Sequence, residues 1–148
     1  MKNFILIAIF ITIAMFVLVA SILFERERKR RISRYWIRSC TGGEWRRRFP
    51  QIPKDKIREF LYCFVDGFAF KREKRLNFSP DDKVMDVYRA LYPSEGWPDA
   101  LELETFAKNL EKKYGFDLSR VKNPNVRLGE LFKMVIKGNP NKTIEATS

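Results

Sequence analysis

Histidine is absent from all 148 residues. Its absence excludes Ser-His-Asp and Cys-His catalysis, histidine-ligated zinc and an imidazole pH sensor. Cysteine is nearly absent too. Cys40 and Cys63 are too few and too far apart for a zinc site, and in a cytoplasmic domain both are expected to stay reduced. Cys63 falls on an apolar helical face, where a thiol behaves as a small hydrophobe. No stretch alternates with the period of two that a half-buried strand needs, and no internal repeat is visible. Acids are the minority charge, 18 against 29 Lys and Arg, for a net charge of +11. Yet neither basic run, KREKR at 71–75 nor RRRF at 46–49, belongs to a nucleic-acid-binding motif or spaces base-reading side chains along a helix. No nucleic-acid partner is expected. The acidic pairs Asp81/Asp82 and Glu102/Glu104 read as helix-start or surface carboxylates without a partner for acid–base work. No catalytic residue, metal site or cofactor is expected, and the chain reads as a non-enzyme.

One long apolar run is present. Residues 4–24, FILIAIFITIAMFVLVASILF, contain no charge. As a helix rising about 1.5 Å per residue this run matches a hydrocarbon layer of about 30 Å. A cleaved signal peptide is the competing reading, with Val19-Ala20-Ser21 as the cleavage site. The run is longer than a signal core, however, and a dense basic cluster follows at once, so 4–24 is read as a transmembrane helix. Lys2 alone precedes the run, whereas Arg26, Arg28, Lys29, Arg30, Arg31, Arg34 and Arg38 follow it. Positive flanks stay in the cytoplasm, which places the N-terminus outside. Residues 25–49 carry a net +7 and residues 50–148 only +3, so the excess lies beside the membrane. Tyr35 and Trp36 interleave with these cations as in segments lying at headgroup level. The seven cations and both aromatics are expected to contact anionic lipid at the cytoplasmic face.

Residues 25–52 read as a basic juxtamembrane segment and linker, with Gly42-Gly43, Pro50 and Pro53 as punctuation over 39–53. A helical domain follows over 53–138, then a disordered tail over 139–148. The first helix, PKDKIREFLYCFVDG, has Pro53 at its start, Gly67 at its end and an apolar face of Ile57, Phe60, Leu61, Phe64 and Val65. Ser79 is the expected cap of a shorter helix carrying Val84, Val87, Tyr88 and Leu91. The second main helix opens after GWPD and buries Leu103, Phe106, Ala107, Leu110 and Tyr114 before Lys112, Lys113 and Gly115 close it. Asn125 is the expected cap of the last helix, whose apolar residues are Leu128, Leu131, Phe132, Val135 and Ile136. The fold class is all-α: a single N-terminal transmembrane helix followed by a small bundle of three main helices and a short one.

The stretch Asp99-Ala100-Leu101, then Leu110, Tyr114 and the exit Gly115-Phe116-Asp117-Leu118, resembles the second helix of acyl carrier proteins. The match covers roughly residues 54–138 in the family's order and spacing. The segment PDDKVMDVYRALYPSEGWPDALELETFAKNLEKKYGFDLS is similar, more closely, to an enterobacterial family of unknown function described as acyl-carrier-like. The resemblance implies a bacterial protein, a carrier-type bundle and a prosthetic phosphopantetheine on the serine after the aspartate. Here Ala100 occupies that position and offers no oxygen to esterify. The acidity by which carriers find basic patches on their enzymes is also missing, because Lys108, Lys112 and Lys113 nearly offset Asp99, Glu102, Glu104 and Glu111.

The expected function is therefore a monomeric, non-catalytic interaction module tethered to the bacterial inner membrane and binding an unidentified protein partner. Its candidate contact residues are Tyr92, Trp97, Asp99, Lys71, Arg72, Lys74 and Arg75. The alternative is an acyl-chain or lipid binder, or a carrier modified at another serine. Ser94 is displaced from the helix by Gly96-Trp97-Pro98, and Phe60, Phe64, Phe106 and Phe132 are expected to fill the space an acyl chain would occupy.

Overall fold

The computed structural model describes residues 2–92 and 101–138. Every regular element among them is a helix, and a lone antiparallel bridge joins Lys83 to Arg127. The all-α expectation holds. The first helix, α1 (Lys2–Trp36), has 35 residues and is about 52 Å long. Over 4–24 its side chains are apolar on every side and none is buried. A helix of that kind needs hydrocarbon around it, and α1 is long and apolar enough to cross a membrane. The remaining turns run on without a break into the bundle.

The bundle is built from α2 (Gly42–Arg48), α3 (Lys54–Gly67), α4 (Val84–Leu91), α5 (described from Leu101, to Tyr114) and α6 (Leu128–Gly138). Short 3₁₀ turns occupy Arg72–Asn77 and Leu118–Arg120. All five apolar positions expected on α3 are buried, as are Phe106, Leu110 and Tyr114 on α5 and Leu128, Leu131, Phe132 and Val135 on α6. Their rings fill the centre. Phe60 meets Phe132 at 5.1 Å between centroids, and Phe64 meets Phe106 edge-on at 5.3 Å. Such offset and edge-on pairs use the ring quadrupoles as well as the buried area. The core is closed by phenylalanine, as the composition of the helix faces implied.

α3 runs from Lys54, after Pro53, to Gly67, the bounds expected, but Gly67 does not end it by turning the chain. Gly67 is still helical, and what it provides is room: a Cβ there would lie 2.7 Å from the Phe106 Cα. The left-handed residue that ends the helix is Ala69, with φ of 53°. The Phe70 N–H returns to the Val65 carbonyl (2.8 Å) and the Ala69 N–H to that of Asp66 (3.1 Å), a Schellman arrangement built without glycine. On α5, Gly115 does take the positive φ (64°) at the exit.

Both expected caps are corrected. α4 begins at Val84, four residues later than a Ser79 cap would set it, and α6 begins at Leu128 rather than after Asn125. The reason is that the two helix starts satisfy each other. The Val84 N–H bonds the Val126 carbonyl, Leu128 N–H bonds that of Asp82, and Gly129 N–H bonds that of Pro80. Orphan donors of a first turn need acceptors, and main-chain carbonyls from a neighbouring segment serve as well as side chains.

The linker over 39–53 is likewise replaced by structure. α2 lies inside it, and Trp45 has no exposed surface. Its ring packs on Phe49, Phe60 and Phe132 at 5.7–6.2 Å, and its indole N–H bonds the Phe78 carbonyl at 2.8 Å. Buried Thr41 adds its hydroxyl 2.9 and 2.8 Å from the carbonyls of Leu76 and Phe78. The folded unit thus reaches back past residue 53 into α1. The tail over 139–148 lies outside the described residues.

Candidate functional site

The seam where α1 enters the bundle is the feature that distinguishes this molecule from a domain on a string. Beyond the apolar span, α1 turns one stripe inward: Ile32 and Tyr35 are buried and Trp36 is half-buried. The Tyr35 ring stacks on Phe78 at 5.6 Å, and Trp36 meets Phe70 edge-on at 6.1 Å. The end of α1 is closed by the 3₁₀ turn. Asn77 donates from Nδ2 to the Trp36 and Arg38 carbonyls (2.9 and 3.0 Å), and Lys74 Nζ donates to the Trp36 carbonyl at 3.3 Å. A cation there also meets the negative end of the helix dipole.

Charge completes the seam. Arg38 donates to both carboxylate oxygens of Asp82 (3.0 and 2.7 Å), which also accepts from the Ser79 N–H at 2.7 Å. Arg31 Nε donates to the Ala90 carbonyl at 3.1 Å. These contacts order the two helices. Asp82 lies by Arg38 and Ala90 by Arg31, so α4 runs antiparallel to α1, with its C-terminal end toward the apolar span.

The expected headgroup residues therefore divide. Tyr35 is corrected to a core residue, because its ring is enclosed by the bundle. Arg31 and Arg38 are ties between α1 and α4, and Arg28 is half-buried beside Glu25 at 3.1 Å. Arg26, Lys29, Arg30 and Arg34 remain exposed. Sequence periodicity could have shown this: Ile32, Tyr35 and Trp36 repeat at three and four residues, as do Trp45 and Phe49, but arginines and glycines between them masked the stripe.

The expected partner residues divide in the same way. Trp97 and Asp99, together with Ser94 and Ala100, lie outside the described residues. Tyr92 is half-buried; its hydroxyl donates to the Glu102 carboxylate and its ring packs on Tyr88 at 5.3 Å. Burial first, then Glu102, pushes its hydroxyl up to about 12. Lys71 and Arg72 are exposed, Arg72 lying over the Tyr62 ring at 4.6 Å, whereas Lys74 and Arg75 are half-buried and Lys74 is committed to the end of α1.

A second set of ties holds α2 to the bundle. Asp81 accepts from Arg48 (2.8 and 3.0 Å) and from Arg127 (3.2 Å), and the Arg48 bonds, with both cations nearby, hold its carboxyl below the usual range. Ser79 donates to Glu44 at 2.6 Å. Two clefts flank the seam itself. One, of about 520 Å³, opens between α1 and α4 beside Arg30, Arg34 and Arg89. The other, of about 200 Å³, lies between Arg28 and Trp36 on α1 and Phe68 and Leu91 on the bundle. Neither contains a nucleophile with an adjacent base. No family model, curated protein or solved structure matches this chain.

Proposed function

We propose that this chain is a single-pass protein of the bacterial inner membrane, N-terminus outside, that presents a non-catalytic acyl-carrier-like domain at the cytoplasmic face for noncovalent docking of a protein partner. The observation that carries this reading is the seam. The last turns of the membrane helix are part of the bundle's core, so the domain is presented in a set orientation instead of swinging on a linker. A tethered, oriented surface gains local concentration over a free one, which makes modest affinity sufficient. The charge asymmetry across 4–24 supports the orientation. Ala100 supports the noncovalent part, since a methyl group cannot carry a phosphodiester. The exposed cations Lys71 and Arg72 are the contact surface in this reading, with Tyr92 beside the membrane.

Two thiols make the orientation testable. Cys40 is exposed, whereas Cys63 is buried, and burial pushes its thiol up to about 11. A membrane-impermeant maleimide is expected to label one cysteine per chain in inside-out vesicles and none in sealed right-side-out vesicles. Labelling from the outer side would reverse the topology and end the proposal. Co-expression with a broad phosphopantetheinyl transferase is expected to leave the intact mass unchanged; a chain carrying the prosthetic arm would restore the carrier reading.

A further inference from the structure

The crease between α1 and α4 gathers cation at the depth of the membrane surface. If the span starts at Phe4, a hydrocarbon layer of about 30 Å ends near Phe24. Arg30 then stands about 9 Å beyond it, just past a headgroup layer roughly 5–8 Å thick, and Arg34 about 15 Å beyond it, one helical turn farther out. Side chains on a helix lean toward its N-terminus, here toward the bilayer, so an extended Arg30 reaches back toward the phosphates. Arg34 lines the crease behind it, its guanidinium over the Tyr35 ring at 4.8 Å with one N–H on the Tyr35 hydroxyl at 2.8 Å. α4 adds Arg89, from a distant part of the chain. The cleft is bounded by Arg30, Arg31, Arg34 and Arg89 against Glu27 and Asp86.

These guanidinium groups are poorly neutralised. Glu27 and Arg30 are 4.0 Å apart, and Asp86 and Arg89 are 3.9 Å apart, both at the edge of ion-pair range. Among the described residues no carboxylate lies within that range of Arg31 or Arg34. Arg31 is also half-buried, and its Nη2 is enclosed without an acceptor. A partly desolvated cation lacking a counter-charge is costly, and an anion in the crease offsets that cost.

We propose that the crease between α1 and α4 binds the phosphate of an anionic phospholipid from the cytoplasmic leaflet, with Arg30, Arg34 and Arg89 as donors and the Arg31 charge beneath. The site rests on the orientation given under the proposed function. It differs from the diffuse attraction of any polybasic segment because Arg89 belongs to the folded domain and reaches the lipid only while α4 is docked on α1. A lipid held there bridges the seam and strengthens it.

The test uses the full-length chain in nanodiscs of phosphatidylcholine, alone or mixed with phosphatidylglycerol, with thermal unfolding of the domain as the readout. Phosphatidylglycerol is expected to raise Tm. Arg89→Gln should remove half or more of that rise, whereas Lys122→Gln, the same charge change at an exposed site beyond the far end of α5, should preserve it. Equal losses in the two variants would reduce the effect to net charge and overturn the site. An equal rise from inorganic phosphate in phosphatidylcholine discs would reassign the crease to a soluble anion. If phosphatidylglycerol has no effect while maleimide labelling still gives a cytoplasmic domain, the lipid site fails and the adaptor reading stands; reversed labelling overturns both.

Discussion

The two halves of α1 share one backbone and have opposite solvents. Over 4–24 every side is apolar, so the helix has no preferred face and only hydrocarbon can surround it. Over 25–36 the outer faces are cationic and one narrow stripe, Ile32, Tyr35 and Trp36, is apolar, so one side is wetted and the other packs on protein. A single helix thus passes from a stretch long and apolar enough to cross a membrane into the protein core without a loop. The comparison teaches that a basic juxtamembrane segment need not be a passive topology signal. Here its inner face completes a core, and its outer face keeps Arg26, Lys29 and Arg30 exposed.

Five measurements break or sharpen that contrast, each by unfolding the full chain in detergent. Trp45→Ala is expected to cost about 3–5 kcal/mol, because it empties a fully buried site and orphans the Phe78 carbonyl. A loss within about 0.5 kcal/mol, usual for exposed positions, would return 39–53 to a linker. The direct comparison of the helix halves is Ile32→Ala against Ile22→Ala. The first should cost the domain about 2–4 kcal/mol and the second should leave it unchanged, since Ile32 is 1% exposed and Ile22 49%. Arg38→Ala should cost about 1–3 kcal/mol by stranding Asp82, whose side chain is 11% exposed, and Arg38→Lys should restore part of that loss because the charge returns without the fork.

The fourth measurement concerns the buried thiol on α3. Burial raises the Cys63 thiol from 9.0 to about 11, so the unfolded chain releases this proton first as pH rises. Fewer protons are then bound unfolded than folded, and stability falls across pH 9–11. The wild-type curve minus that of Cys63→Ala should show this decline, on the order of 2 kcal/mol, and a flat difference would sink it. The smallest effect is a gain. Ala69→Gly relieves a left-handed alanine where the Phe70 contact to α1 begins, and should stabilise by about 0.5–1 kcal/mol.

Much of the bundle was legible because helix faces are local. The stripes on α3, α5 and α6 follow from apolar residues recurring every three or four positions, and most of those positions are buried, with Leu103, Ala107 and Ile136 at the margins only half-buried. Helix starts were harder. Ser79 and Asn125 have the chemistry of caps, but an N–H donates to whichever acceptor comes nearest in space, and here that is another segment's carbonyl. Gly67 reads as a helix stop for the same reason: sequence shows that a side chain is absent, whereas only packing shows that Phe106 occupies the vacated space. The candidate site was the least legible part. Arg31, Arg34, Arg38 and Lys74 are all cations in the sequence, yet one ties α4, one lies over the Tyr35 ring, one grips Asp82 and one closes α1.

By itself the sequence determined the apolar length of the span, the charge on its flank, the helical class of the domain and the residues that had to leave water. Those are properties of short stretches, set by hydrophobicity and by spacing along one helix. Tertiary structure alone decided where the membrane helix stops being a membrane helix, which cations are structural, and which glycine makes room and which alanine turns the chain. Each of those outcomes depends on a neighbour many residues away, and the free energy of a contact belongs to the pair and not to either residue.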